Sequence, residues 1–114
     1  MPEIDEAQRL VCDRFDVAPF PSPETSKVGV SRNLGGAQTP IHGLRHPPEG
    51  DTTGWYIWRG EYSRADDFFR PLHVAHLREL CPRVLPYLAL PPGWRFLLAD
   101  DYEDVWRDGT LLNV

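Results

Sequence analysis

Four carboxylates crowd the end of the chain as Asp100, Asp101, Glu103 and Asp104, with Asp108 just beyond. Oxygens at that density could hold a hard cation, but the run lacks the spacing and the central glycine of a calcium loop. A solvated turn is the plain alternative. The sharper one is an acidic docking patch for a basic protein, with Tyr102 and Trp106 as aromatic anchors among the acids. Tyrosine and tryptophan are among the residues that carry most interface energy. The candidate contact residues are therefore Asp100, Asp101, Tyr102, Glu103, Asp104 and Trp106, and Glu61, Asp66 and Asp67 are candidates to extend the patch.

The other reactive residue types make weaker constellations. His73 and His76 are three apart, a spacing that lets two side chains share a helix face. A zinc site needs three or four ligands, and Cys81 is the only nearby thiol. His73 also falls in line with Leu77, Leu80 and Val84, as a residue bordering a core would. His42 and His46, with Arg45 between them, sit in a Gly- and Pro-rich stretch and could add ligands. A small-ligand or metal-binding domain using residues 35–53 and His73/His76 is thus the alternative function. Cys12 and Cys81 lie in apolar surroundings, and a nucleophilic cysteine needs a lowered pKa and an oriented base; small buried hydrophobes are the expectation. Gly35-Gly36 belongs to no phosphate-binding motif. Ser31 and Ser63 lack the context of a nucleophile elbow. The expectation is a non-enzyme with no catalytic residues, no metal and no cofactor.

Positioning these residues falls to elements legible from periodicity. Ile4, Ala7, Leu10, Val11 and Phe15 recur at helical spacing and predict a helix over 2–16. Glu3, Asp5 and Glu6 load its first turn, where negative charge suits the helix dipole. The proline-rich segment 18–26 reads as an extended connector. Residues 27–33 alternate as a strand, with Val28 and Val30 on one face. Residues 34–53 are polar and rich in Gly and Pro, which predicts a long surface loop, and 61–70 predicts another. The strand over 54–60 carries aromatics on both faces, as a central or covered strand does. Pro71 suits a first helical position. Val74, Leu77, Leu80, Val84 and Leu88 then make a helical stripe over 72–88, kinked at Pro82. Pro91-Pro92-Gly93 marks a turn before strands over 94–99 and 103–107. All four tryptophans fall between residues 55 and 106, so that run should hold the core. These elements predict an α+β fold, a small mostly antiparallel sheet of about four strands covered by the two helices.

Size and charge bound what such a domain can do. One domain over 1–114 fits the length of 114 residues. The net charge of −5 argues against a nucleic-acid binder or a ligand of anionic membranes, and permits a basic protein partner. Lys27 is the only lysine, and arginine's planar fork suits carboxylate contacts, although a G+C-rich genome gives the same bias. No apolar run approaches the roughly 20 residues needed to span a bilayer, and no signal peptide is legible at the start. Two free thiols in the cytoplasm are the corresponding expectation.

Three segments carry a resemblance: VGVSRNL at 28–34, GWYIWRGE at 54–61 and PPGWRFLL at 91–98. With the proline-broken segment between the last two, they resemble the bacterial immunity protein 33-like domain family. The resemblance covers roughly 27–108 and sets residues 1–26 apart as a helix and connector. It implies a small cytoplasmic protein that neutralises a toxin by stoichiometric binding. It implies no catalytic residues. The acidic charge fits independently, since toxin domains acting on nucleic acid are basic and an acidic inhibitor gains association rate against them.

Overall fold

The computed structural model describes residues 4–65 and 67–113. Glu3 of the expected first turn and Asp66 of the expected acidic patch lie outside the described residues. Helix α1 spans Glu6–Arg14. The strands are β1 (Lys27–Ser31), β2 (Ile41–Arg45), β3 (Thr52–Arg59), β4 (Phe69–His73), β5 (Trp94–Leu98) and β6 (Glu103–Arg107). One turn of helix, α2 (Leu77–Leu80), lies between 3-10 turns at Val74–His76 and Pro82–Tyr87, and a last 3-10 turn spans Gly109–Leu112.

The sheet has six strands in the order β4-β1-β3-β2-β5-β6. Every neighbouring pair is antiparallel except β1 and β3, which run parallel. The expected α+β class holds, with six mixed strands in place of about four. Both extra strands come from segments expected to be loops. The central β2 lies within 34–53, and β4 begins inside 61–70. The helix expected over 72–88 is a strand end followed by short helical pieces. Pro82 opens the 3-10 turn and Pro86 lies inside it, and prolines cannot supply the N–H groups that a continuous α-helix requires.

Why β2 hides from a hydrophobicity pattern is plain from its inward face, which presents Ile41, Gly43 and Arg45. Gly43 makes room for a ring: a Cβ there would sit 2.2 Å from Phe96 Cε2. Arg45 is buried at 1% exposure, and its guanidinium is the hub of the core edge. Nε donates to Thr53 O, Nη1 to the carbonyls of Phe20, Leu88 and Leu90, and Nη2 to Pro21 O. These bonds fasten the Pro-rich connector and the chain after the Pro82–Tyr87 turn onto the sheet.

Helix α1 and the helical pieces between Val74 and Tyr87 cover one face. Val28, Val30, Ile41, Trp55, Ile57, Phe96 and Leu98 pack there against Val11, Leu77, Val84 and Leu88. Burying each aliphatic side chain contributes about 1.5–3 kcal/mol. Helix α1 is capped by Asp5, which accepts from Gln8 N at 2.8 Å while the Gln8 side chain reaches back. Its buried side is Val11 and Cys12, and Leu10, expected in the stripe, is 55% exposed. The shift has a local cause: Gln8 turns inward to donate to Leu85 O, and the Cys12 thiol donates to Ala89 O. Of the four tryptophans, Trp55 and Trp58 are buried, and Trp94 and Trp106 are half-buried.

Candidate protein-binding face

Side chains alternate across a strand, so residues whose neighbours fill the core point to the sheet's uncovered side. Along β5 and β6 these are Arg95 and Leu97, opposite Trp106 and Asp104 respectively. The β5–β6 turn is held from behind, where the Arg83 guanidinium donates to the carbonyls of Ala99 and Asp100. Asp100, Asp101 and Asp104 are exposed and make no ion pair with any described residue. Tyr102 is 54% exposed at the tip. Trp106 is half-buried under the Arg95 guanidinium, 5.4 Å from its ring centroid. Arg95 in turn pairs with Asp108 at 3.3 Å.

Glu103 does not join them. It lies on the opposite face, where Arg14 donates to its carboxylate and so does the Tyr87 hydroxyl. The Arg14 bond holds the Glu103 carboxyl below the usual range, and burial with the Glu103 contact pushes Tyr87 up to about 12. Asp108 also has a structural post, accepting from Thr110 N and from Thr110 Oγ1, which together with Arg95 keeps its carboxyl low. The proposed extension through Asp67 meets the strand order: Asp67 precedes β4, five strand spacings or about 24 Å from β6, and it pairs with Arg32 at 3.2 Å. Glu61 follows β3, three strands in from β6.

The same uncovered side carries an aromatic cluster that periodicity missed. Trp58 is only 4% exposed although no helix covers it. His42 stacks on it at 4.8 Å, and Tyr62 and Phe69 meet it edge-on at 5.5 and 5.9 Å. Phe69 also packs on Tyr56 at 5.1 Å and on Phe68 at 4.8 Å. Beside the cluster is a concavity of about 390 Å³ lined by Leu44, His46, Glu49, Tyr56, Trp58 and Phe69. The Trp58 indole N–H is buried without a hydrogen-bond partner among the described residues. The signal in sequence was the Tyr56/Trp58 alternation together with Phe68-Phe69, whose register needs a strand that 61–70 did not advertise.

The remaining candidates are held apart. His42 is pushed below its ordinary pKa by burial and by Arg95. His46 Nδ1 lies 3.0 Å from Leu111 O, and the His73 and His76 rings are 5.9 Å apart at a tilt. Among the described residues no three His, Cys, Asp or Glu side chains gather as a metal would require. Both cysteines are free and buried, and burial pushes both thiols up, away from the reactive thiolate. Arg59 Nη2 lies 3.5 Å from Cys81 Sγ. Among the described residues no helix is long and apolar enough to cross a membrane.

The architecture is a two-layer α+β domain with one sheet face open and an acidic, aromatic hairpin at its rim. The model of the Imm33-like domain matches residues 7–108, and the chain belongs to that family. The match takes in most of α1 and the connector as well as the sheet. No curated protein and no solved structure matches the chain. The family name points to an immunity-protein-like role.

Proposed function

We propose that this chain is an immunity protein that neutralises a toxin without catalysis, by binding it one to one in the cytoplasm and blocking its active surface. The observation that carries this is the family match over residues 7–108. The hairpin supports it: Asp100, Asp101 and Asp104 stand exposed without ion pairs among the described residues, next to Tyr102 and Trp106. Unpaired carboxylates around aromatic anchors suit a basic partner, giving long-range steering and a desolvated centre of contact. Glu103 is left out of this surface, since Arg14 and Tyr87 occupy its carboxylate. The test is capture by the tagged protein from its own cell extract at low and at high salt, read by mass spectrometry. One stoichiometric, basic partner released by salt is the expected result. Absence of a partner at both salt concentrations removes the reading.

The aromatic concavity favours a second reading, a small-ligand site. Its walls include His46 and Glu49 from the stretch expected to be a binding loop, and it contains neither His73 nor His76. A ligand accepting from Trp58 Nε1 would change tryptophan fluorescence on titration. An unresponsive spectrum across a metabolite panel counts against this second reading.

A further inference from the structure

The two outer edges of the sheet are built differently. In the β5–β6 pair, Ala99 N donates to Tyr102 O at 2.9 Å and Asp108 N donates to Gly93 O at 2.6 Å. These bonds fix the phase of the ladder, so Tyr102, Asp104, Trp106 and Asp108 turn their backbone groups toward β5. Glu103, Val105 and Arg107 must then turn N–H and C=O outward, and no hydrogen bond among the described residues occupies those groups. At the other edge, Val74 N donates to Ser26 O at 2.9 Å, which sets Phe69, Pro71 and His73 facing outward from β4. Pro71 therefore removes no bond from the sheet, yet it denies an incoming strand its central donor. No proline interrupts β6.

We propose that the outer edge of β6 is a strand-addition site, taken by an extended basic segment of the protein partner. This rests on the proposed immunity function and specifies its contact. Backbone bonds to Glu103, Val105 and Arg107 supply register, and lysine or arginine side chains on alternate positions of the added strand lie beside Asp104 and near the Asp100–Asp101 turn. Charge selects this occupant over a second copy of the chain. Asp100, Asp101 and Asp104, without ion pairs among the described residues, outnumber Arg107 and the Arg83 behind the turn, so the edge is negative, two such edges repel, and a basic strand is attracted.

The experiment uses the full chain and a synthetic heptapeptide alternating lysine and valine, with a glutamate–valine peptide as control. Amide hydrogen exchange is followed residue by residue. The lysine peptide is expected to slow exchange at Glu103, Val105 and Arg107, with the effect lost at high salt. The exposed Arg107 allows a clean pair of variants. Arg107→Pro deletes an outward N–H without touching the β5–β6 ladder, and Arg107→Ala keeps it. The proline variant should bind the peptide about tenfold more weakly than the alanine variant, the loss one hydrogen bond can produce. Equal binding by the two variants overturns the proposal. So does equal slowing by both peptides, or slowing that rises with protein concentration alone, which would mark a second copy at the edge. A natural partner captured equally well by both variants overturns the edge contact while leaving the immunity function standing.

Discussion

Arg45 is a buried cation with no carboxylate at hand among the described residues, solvated by five donations to backbone carbonyls. Burial lowers its pKa to about 10, so it remains charged at neutral pH. Arg45→Met would strand the carbonyls of Phe20, Pro21, Thr53 and Leu90, and should destabilise by about 3–5 kcal/mol. Arg45→Lys supplies fewer donors in the wrong geometry and should cost about 2–3 kcal/mol. Urea-unfolding midpoints measure both, and a loss under about 0.5 kcal/mol in either would contradict the hub role. His42 makes a prediction in pH. Its folded pKa lies below its unfolded value because burial and Arg95 disfavour the imidazolium. Its contribution is therefore fully present above the unfolded pKa of about 6.5, and is lost as pH falls from there toward the folded value. His42→Gln should flatten that part of the stability profile, and an unchanged slope below pH 6.5 would argue against a desolvated ring.

At the scale of elements, glycine decides where the sheet can close. Gly54 adopts φ +89° at the irregularity where β3 meets β1, and a Cβ there would lie 1.9 Å from His46 O. Gly54→Ala should destabilise by more than about 2 kcal/mol, and Gly43→Ala by a similar amount through the Phe96 ring, each read from thermal unfolding. Wild-type stability in Gly43→Ala would mean that β2 and β5 are not paired in this register. These residues also show why part of the fold was legible in sequence and part was not. β3 and β5 announce themselves through apolar alternation after Gly-Trp, and β6 as the return strand after the acidic turn. β2 does not, because its inward positions are a glycine under a ring and an arginine among carbonyls, pairings that only tertiary neighbours explain. β4 straddles the loop expected over 61–70 and the expected helix start, since Pro71 suits a first helical turn as well as a sheet edge whose donor is unused. The acidic hairpin was legible as a run. That Glu103 belongs to Arg14 and Tyr87 was not, because strand parity decides which acids face out, and the aromatic cluster needed β4 to bring Phe69 to Trp58 and Tyr56.

For the whole molecule, the uneven treatment of its surfaces carries the functional account. Helical pieces cover one sheet face, and proline closes one sheet edge. The other face keeps an aromatic cluster, and among the described residues the outward backbone groups of β6 and the acids beside it have no partners. A net charge of −5 favours long-range attraction to a basic partner, and on the proposed reading the hairpin is where that attraction becomes local. The most direct test takes the partner captured from extract and measures its affinity for the wild-type chain and for the Asp101→Lys/Asp104→Lys variant across a salt series. The account predicts at least about tenfold weaker binding for the variant at low salt, with the difference shrinking as salt screens it. Equal affinities with equal salt slopes would contradict it and move the contact away from the acidic hairpin.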